Sequence, residues 1–209
     1  IDMSKYLQDK DIMRFNKAIS SLNGKLDQTG IYAIPTEISL LPPDTPSEGL
    51  ELVFGPYVRW DLYAAAGYPK IYTLEDLLPV LKTMQNLMPT TESGNPTYAF
   101  SFFKDWDGNL MTAAKQPACL YGYDEIGFVL AKADGSDYQS VLDKDSFYMR
   151  NLKLYFDANQ MGLVDPDSPV QSLEDVTAKY VDGSILYSPW SFLGQPNFNT
   201  TENKNQGKG

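Results

Sequence analysis

Stretches with apolar residues at helical spacing alternate along this chain with short apolar runs of strand length. The clearest helical stretch begins at Thr73, and Thr73 with Asp76 three residues later is a capping-box signature. The apolar stripe that follows predicts one buried face, formed by Leu74, Leu77, Leu78, Leu81, Met84 and Met88. Pro79 lies inside this stretch and removes one backbone N–H. We therefore expect a kink or a 3₁₀ first turn there.

The same periodicity predicts further helices at 11–22 and 59–67, and two more that begin at the caps Asp145 and Ser172. Short apolar runs predict strands at 30–35, 50–54, 98–103, 126–131 and 185–187. Three prolines and a glycine predict an irregular crossing loop over 41–49. The alternation of helices and strands indicates an α/β fold, and the proline-rich crossing is compatible with two lobes.

Composition and charge exclude several classes of function. The chain has 209 residues, enough for one large or two modest domains, with 17 basic and 27 acidic residues and a net charge of −10. This balance argues against binding nucleic acid or an anionic lipid surface. The sequence has no histidine, which excludes Ser-His-Asp and Cys-His catalysis, and a single cysteine, Cys119, cannot form an intrachain disulfide.

Acidic residues offer two further candidate sites, and both are weak. Asp105, Asp107 and Asn109 suggest a calcium loop, but the glycine and the final acid of an EF-hand are missing at the required positions. A turn after the strand 98–103 explains them more simply. A pair of carboxylates could form a glycosidase, yet 27 acids guarantee pairs by chance. We predict no metal site and no cofactor.

Aromatic residues beside polar ones at predicted strand ends are a better signal. Such positions are Trp60 after Arg59, Trp106 before Asp107, Tyr121 and Tyr123 around Gly122, and Trp190 after Ser188 and Pro189. An indole or phenol ring can stack on the C–H face of a sugar while neighbouring polar groups bond its hydroxyls. Ligands of open α/β sheets bind beyond the carboxyl ends of the strands, where these segments are expected. Core packing is the alternative for each ring, and it is favoured for Trp60.

Four segments, in this order, resemble bacterial extracellular solute-binding proteins of the sugar ABC-transporter type. They are YAIP (32–35), VRWDLY (58–63), AGYPKIYTLEDLL (66–78) and KYVDGSILYSPWSFLG (179–194). Asp61-Leu62 and Thr73 to Leu77 fit the family pattern, although Leu74 replaces its usual tryptophan. Arg59 stands where the family has an asparagine, and the spacing from Gly67 to Pro69 is shortened.

The resemblance implies a periplasmic-binding-protein-like (type II) two-lobed fold that closes on a sugar by hinge motion. The implied division is the end of the first lobe and a crossing loop at 1–49, the second lobe at 50–196 and a flexible tail at 197–209. Members of this family begin with a lipoprotein signal and end with further helices. The chain is therefore expected to be a middle portion of such a protein.

The implied function is binding of a sugar or oligosaccharide and its delivery to an ABC permease, without catalysis. The protein would lie at the outer face of the bacterial cell membrane, attached through a lipid anchor outside this chain. The resemblance carries over Arg59 and Trp190 as ligand contacts, and local chemistry adds Trp106, Asp107, Tyr121 and Tyr123. A glycan-active enzyme and a non-catalytic structural surface module remain the alternatives.

Overall fold

The computed structural model describes residues 1–8, 10–24, 29–34, 56–105, 109–132, 135–190 and 192–208. The chain divides into two compact units, Ile1–Glu51 and Leu52–Gly209. The predicted crossing loop 41–49 and the predicted strand 50–54 lie outside the described residues. Within these residues the fold is α/β, as the sequence predicts.

The first unit contains helix α1 (Ser4–Leu7), a 3₁₀ turn (Asp11–Phe15) and helix α2 (Asn16–Asn23). The prediction of a strand at 30–35 is wrong for the described residues 31–34, which pair with no other strand. The buried amide of Asn23 holds this segment instead. Its oxygen accepts hydrogen bonds from the backbone N–H groups of Tyr32 (2.7 Å) and Ala33 (3.0 Å), and its nitrogen donates to the Ala33 carbonyl (2.7 Å). Side-chain hydrogen bonds therefore replace a sheet ladder here.

The second unit is built on short extended segments with helices packed around them. The helices are α3 (Trp60–Ala65), α4 (Leu77–Leu87), α5 (Leu110–Lys115), α6 (Phe147–Gln160), α7 (Leu173–Val181), α8 (Gly194–Phe198) and α9 (Thr201–Asn205). The strands are β1 (Tyr57–Val58), β2 (Tyr123–Ile126), β3 (Val129–Lys132), β4 (Tyr138–Ser140) and β5 (Tyr187–Ser188). The apolar faces of α4, α6 and α7 enclose one large core with Phe100, Phe103 and Leu186.

Four extended segments lie side by side in this core. Tyr98 forms a parallel bridge with Ile185, and Phe100 forms another with Val164. Strand β1 pairs antiparallel with β5, so that Tyr57 faces Ser188. The predicted strand 98–103 is therefore extended and hydrogen-bonded, but it makes bridges rather than a continuous ladder. Three of the four segments run in one direction and β1 runs against them.

The predicted single strand 126–131 is wrong, because Gly127 adopts a left-handed conformation (φ 63°) and turns the chain. Strands β2 and β3 form an antiparallel hairpin around this turn, and β4 adds a third strand to the small sheet. A separate core of Ala118, Tyr123, Leu130 and Val141 lies beneath it. Glycine tolerates positive φ without a steric penalty, so Gly127 can form the turn of this hairpin.

Capping chemistry explains where the helices begin. Ser172 and Asp175 form the predicted capping box at α7, in which each side chain accepts a hydrogen bond from the other residue's backbone N–H. Before α4, Asp76 accepts from the N–H of Thr73, and the first turn is tightened by a bond from the Leu77 N–H to the Leu74 carbonyl. The helix itself begins at Leu77, four residues later than predicted, and the i→i+3 bonds form a tight turn ahead of it. Pro79 therefore occupies the first turn of α4, where its missing N–H breaks no helical hydrogen bond.

Helix α6 begins one residue later than predicted, because Ser146 rather than Asp145 accepts the hydrogen bond from the Met149 N–H. Its buried face contains Asn151, Leu154 and Tyr155, whereas Phe156 is largely exposed. The predicted tail 197–209 contains helix α9, and its mobility stays a prediction.

Candidate functional site

Trp106 and Asp107 lie outside the described residues. Of the four predicted ligand contacts that the structure describes, Tyr121 and Tyr123 both contact Phe147, whereas Arg59 and Trp190 lie in other surroundings of the second unit. Arg59, Tyr123 and Trp190 are buried. Arg59 lines two pockets beside Phe198, and Tyr121 lines a different surface groove. Each is therefore considered by its own contacts.

Arg59 lies at the junction of β1 and α3, where its guanidinium is bound to the protein itself. Its Nε donates to Asp61 (3.1 Å), its Nη1 donates to the Gly183 carbonyl (2.9 Å), and its guanidinium carbon lies 4.3 Å from the centre of the Phe198 ring. A Cβ on Gly183 would come within 2.9 Å of Arg59 Nη1, so the glycine makes this approach possible. These contacts indicate that Arg59 ties β1 to the end of α7 and to α8.

Trp190 is buried in the large core, with 7% of its surface exposed. Its ring centre lies 5.5 Å from that of Phe103. The Ser188 hydroxyl donates to the Trp190 carbonyl (2.6 Å) and stabilises the turn that carries the ring inward. This burial favours core packing over the expected stacking platform, because a ring enclosed by its own protein presents no face to a sugar.

Tyr123 is also a core residue rather than an exposed ligand contact. It belongs to the separate core beneath the small sheet, and its ring centre lies 5.0 Å from that of Phe147. Its hydroxyl donates to the Asp137 carboxylate. Tyr123 therefore connects β2 to the turn before β4.

Tyr121 ends a 3₁₀ helix (Gln116–Tyr121) and is held from the side by neighbouring groups. It stacks on Phe147 with ring centres 4.5 Å apart and nearly parallel planes, and the Arg150 guanidinium lies 4.8 Å from its centre. Arg150 in turn donates to both carboxylate oxygens of Glu75 (2.6 and 2.9 Å), and this hydrogen bonding lowers the pKa of Glu75. Such contacts fix the orientation of the Tyr121 ring before any ligand arrives.

A groove next to Tyr121 is the best candidate for a binding site, and we call it the tyrosine groove. It encloses about 740 Å³, including its open mouth. Its lining consists of Pro56, Val58, Ile71, Tyr72, Thr73, Leu74, Leu77, Leu120, Tyr121 and Tyr187. Tyr72 projects from the loop before α4 and is 79% exposed, whereas Tyr187 is buried.

The direction of the extended segments gives the position of this groove in the fold. Pro56 immediately precedes β1, and Tyr57 pairs with Ser188 at the end of β5. Because β1 runs against the other segments, its beginning lies beside the carboxyl end of β5. The tyrosine groove thus begins at the sheet edge where α/β proteins commonly bind ligands.

A second cavity of about 1230 Å³ lies beyond the carboxyl ends of the segments that contain Phe103 and Val164. It is mostly apolar, and it is lined by Phe102, Phe103, Lys104, Asn109, Leu110, Leu152, Tyr155, Phe156, Asn159, Val164, Asp165, Pro166, Ser168 and Pro169.

Asp165 at the wall of this cavity is part of a buried polar network. Its carboxylate accepts hydrogen bonds from Lys179 (2.6 Å) and Ser101 (2.7 Å), and Gln171 donates to the same oxygen (3.2 Å). Burial by itself would raise the pKa of Asp165, but the bonds from Lys179 and Ser101 hold it below its ordinary value. The network joins the end of the 98–103 segment to α7 and is internally satisfied at this carboxylate.

Sequence patterns pointed to Tyr121 but missed the residues that accompany it. The sequence analysis interpreted Thr73 only as a helix cap and assigned no role to Tyr72. Trp60 was expected in a core and is half exposed. Among the described residues, no group of three or more His, Cys, Asp or Glu could hold a metal ion.

No helix in the described part of the chain is long and apolar enough to cross a membrane. Comparisons with protein-family models, with curated proteins and with solved structures found no match to this chain.

Proposed function

We propose that this protein is an extracytoplasmic carbohydrate-binding component of an ABC transporter, which binds a sugar or oligosaccharide in the tyrosine groove and delivers it to a permease. The observation that carries the proposal is the groove between Tyr72 and Tyr121. Tyr72 is exposed, and Tyr121 is held in place by Phe147 and Arg150. No chemical conversion of the sugar is part of the proposal.

The chemistry of the groove suits a sugar ring. Phenol rings offer an apolar face to sugar C–H groups, and their hydroxyls bond at the rim. Tyr121 is already ordered, so binding costs little side-chain entropy there. Thr73 adds a hydroxyl to the lining, and Leu120 and Ile71 exclude water from the apolar face of the ligand.

The extended segments also support the family assignment. A lobe of a type II binding protein would combine parallel strands with a hinge strand that enters from the other lobe. Strand β1 has one corresponding feature, because it runs against its neighbour β5.

Calorimetric titration with a panel of mono-, di- and oligosaccharides tests the proposal, and the same samples are analysed for cleavage products. We expect saturable binding without products. Cleavage that stops when one carboxylate is removed would support the enzyme alternative. A protein that binds no member of the panel would leave the structural surface module as the explanation.

The site itself is tested by Tyr72→Ala. Alanine keeps the backbone N–H that donates to Asp76 (2.9 Å), so the start of α4 is preserved. Loss of one stacking ring should weaken binding and raise the dissociation constant about fivefold to tenfold. Tyr138→Ala is the matched control, since Tyr138 is 78% exposed on β4 and does not line the groove. Equal affinity of wild type and Tyr72→Ala would contradict the assignment of the groove.

A further inference from the structure

A cluster of three aromatic rings lies on the surface of the second unit and does not line the tyrosine groove. Trp60 and Tyr63 come from α3, and Tyr68 follows the end of this helix. The ring centres of Trp60 lie 5.6 Å from those of both tyrosines, and the two tyrosines lie 6.0 Å apart. Trp60 and Tyr68 are 54% and 58% exposed, so large parts of both rings face solvent.

Local backbone structure holds these rings in place. The N–H of Tyr68 donates to the Tyr63 carbonyl (3.3 Å) and that of Gly67 to the Ala64 carbonyl (2.9 Å), which is the Schellman pattern at a helix end. Tyr68 continues in a left-handed conformation (φ 53°), and the Tyr63 hydroxyl donates to the Pro69 carbonyl (2.7 Å). The Schellman motif explains why Tyr63 meets Tyr68. It does not require a tryptophan at Trp60, where a polar residue would serve an exposed helix start equally well.

The charge around this cluster favours a neutral ligand. Asp61 is the acidic residue next to Trp60, and its carboxylate accepts hydrogen bonds from the Arg59 guanidinium. This pairing neutralises the carboxylate. An aromatic surface with phenol hydroxyls and little net charge suits a molecule that has apolar faces and a neutral polar rim, and these are the properties of a sugar ring.

We propose that Trp60, Tyr63 and Tyr68 form a second carbohydrate-binding surface, which stacks on sugar rings of a neutral glycan chain outside the tyrosine groove. Preordered rings reduce the entropy lost on binding, and Trp60 provides the largest stacking face. The inference shares only its ligand class with the proposed function. It requires neither a transporter nor an occupied groove.

Maltohexaose and cellohexaose are the probes, and binding is followed by NMR of the indole N–H groups. The Trp60 resonance is identified by its absence from Trp60→Phe. We expect saturable shifts of this resonance and an affinity about tenfold weaker in Trp60→Ala, with a smaller loss in Trp60→Phe, because phenylalanine keeps an aromatic face. Phe128→Ala is the control. Phe128 is similarly exposed, on the turn between β2 and β3, and its removal should leave the affinity unchanged.

The outcomes separate this surface from the groove. Weaker hexasaccharide binding in Trp60→Ala, with unchanged binding in Tyr72→Ala, supports the aromatic surface alone. Weaker binding in Tyr72→Ala, with unchanged binding in Trp60→Ala, overturns this inference and leaves the groove assignment in place. Thermal melting of each variant excludes loss of folding as the cause, and Tyr68→Ala provides a second variant if Trp60→Ala unfolds. A wild-type protein that binds neither hexasaccharide overturns the inference. The proposed function would still be judged by the smaller sugars of its own panel.

Discussion

Replacing Trp190 with alanine tests whether this ring supports the core or serves a ligand. Trp190 is almost fully buried against Phe103, in the core that joins the parallel segments to α4, α6 and α7. Truncation of a buried tryptophan removes its apolar contacts and leaves a cavity, which typically costs about 3–5 kcal/mol. Domains are stable by only about 5–15 kcal/mol, so this loss would be a large fraction of the total.

Trp190→Phe refines the same test. Among the described residues, Trp190 Nε1 has no hydrogen-bond partner, so phenylalanine removes ring volume without breaking a hydrogen bond of that atom. We expect its cost to be less than half that of alanine. A cost equal to that of alanine would mean that the six-membered ring alone does not fill the site.

The assay is urea unfolding followed by far-ultraviolet circular dichroism, because tryptophan fluorescence would change with the substitution itself. Trp60→Ala is the matched control. Trp60 is half exposed, and its loss should cost about 1 kcal/mol or less. A loss below about 1 kcal/mol for Trp190→Ala would refute the core interpretation. The stacking platform would then have to be reconsidered.

Two further predictions concern the buried network and the helix cap. Because the pKa of Asp165 is held below its ordinary value of 3.8, its ionised form stabilises the fold above about pH 4, and this contribution is lost as the pH falls through the folded-state pKa. Asp165→Asn should therefore lower the free energy of unfolding by about 2 kcal/mol at pH 7 and by much less in acid. Urea unfolding at both pH values measures this difference. An equal loss at both would contradict the link between ionisation of Asp165 and stability. Ser172→Ala should cost about 1 kcal/mol through loss of the capping box of α7, whereas Ser172→Thr, which keeps the hydroxyl that donates to Asp175, should cost less in the same assay.

Local rules predicted the parts of this fold that depend on neighbouring residues. The capping box of α7 and the tight first turn before α4 follow from residues three positions apart, and both are present. The strand predictions were weaker, because a short apolar run does not reveal what it pairs with. Gly127 divided one predicted strand into a hairpin, and Asn23 satisfied the backbone of another through its side chain.

The candidate site shows the same limit. Aromatic residues beside polar ones identified Tyr121, but the same signal also selected Trp190 and Tyr123, which fill cores. Whether a ring packs inward or faces a groove depends on elements distant in sequence. Phe147 and Arg150 orient Tyr121, and the loop before α4 contributes Tyr72.

The sequence by itself determined the α/β alternation, the cap of α7 and the negative charge, because these depend on spacing, capping and composition. Only the tertiary structure decided that Trp190 is covered, that Trp60 is exposed, and that Tyr72 and Tyr121 line one groove. The physical reason is that burial is a property of all the neighbours together. A side chain carries the same apolar surface in either place, and the packing of distant segments determines whether water or protein covers it.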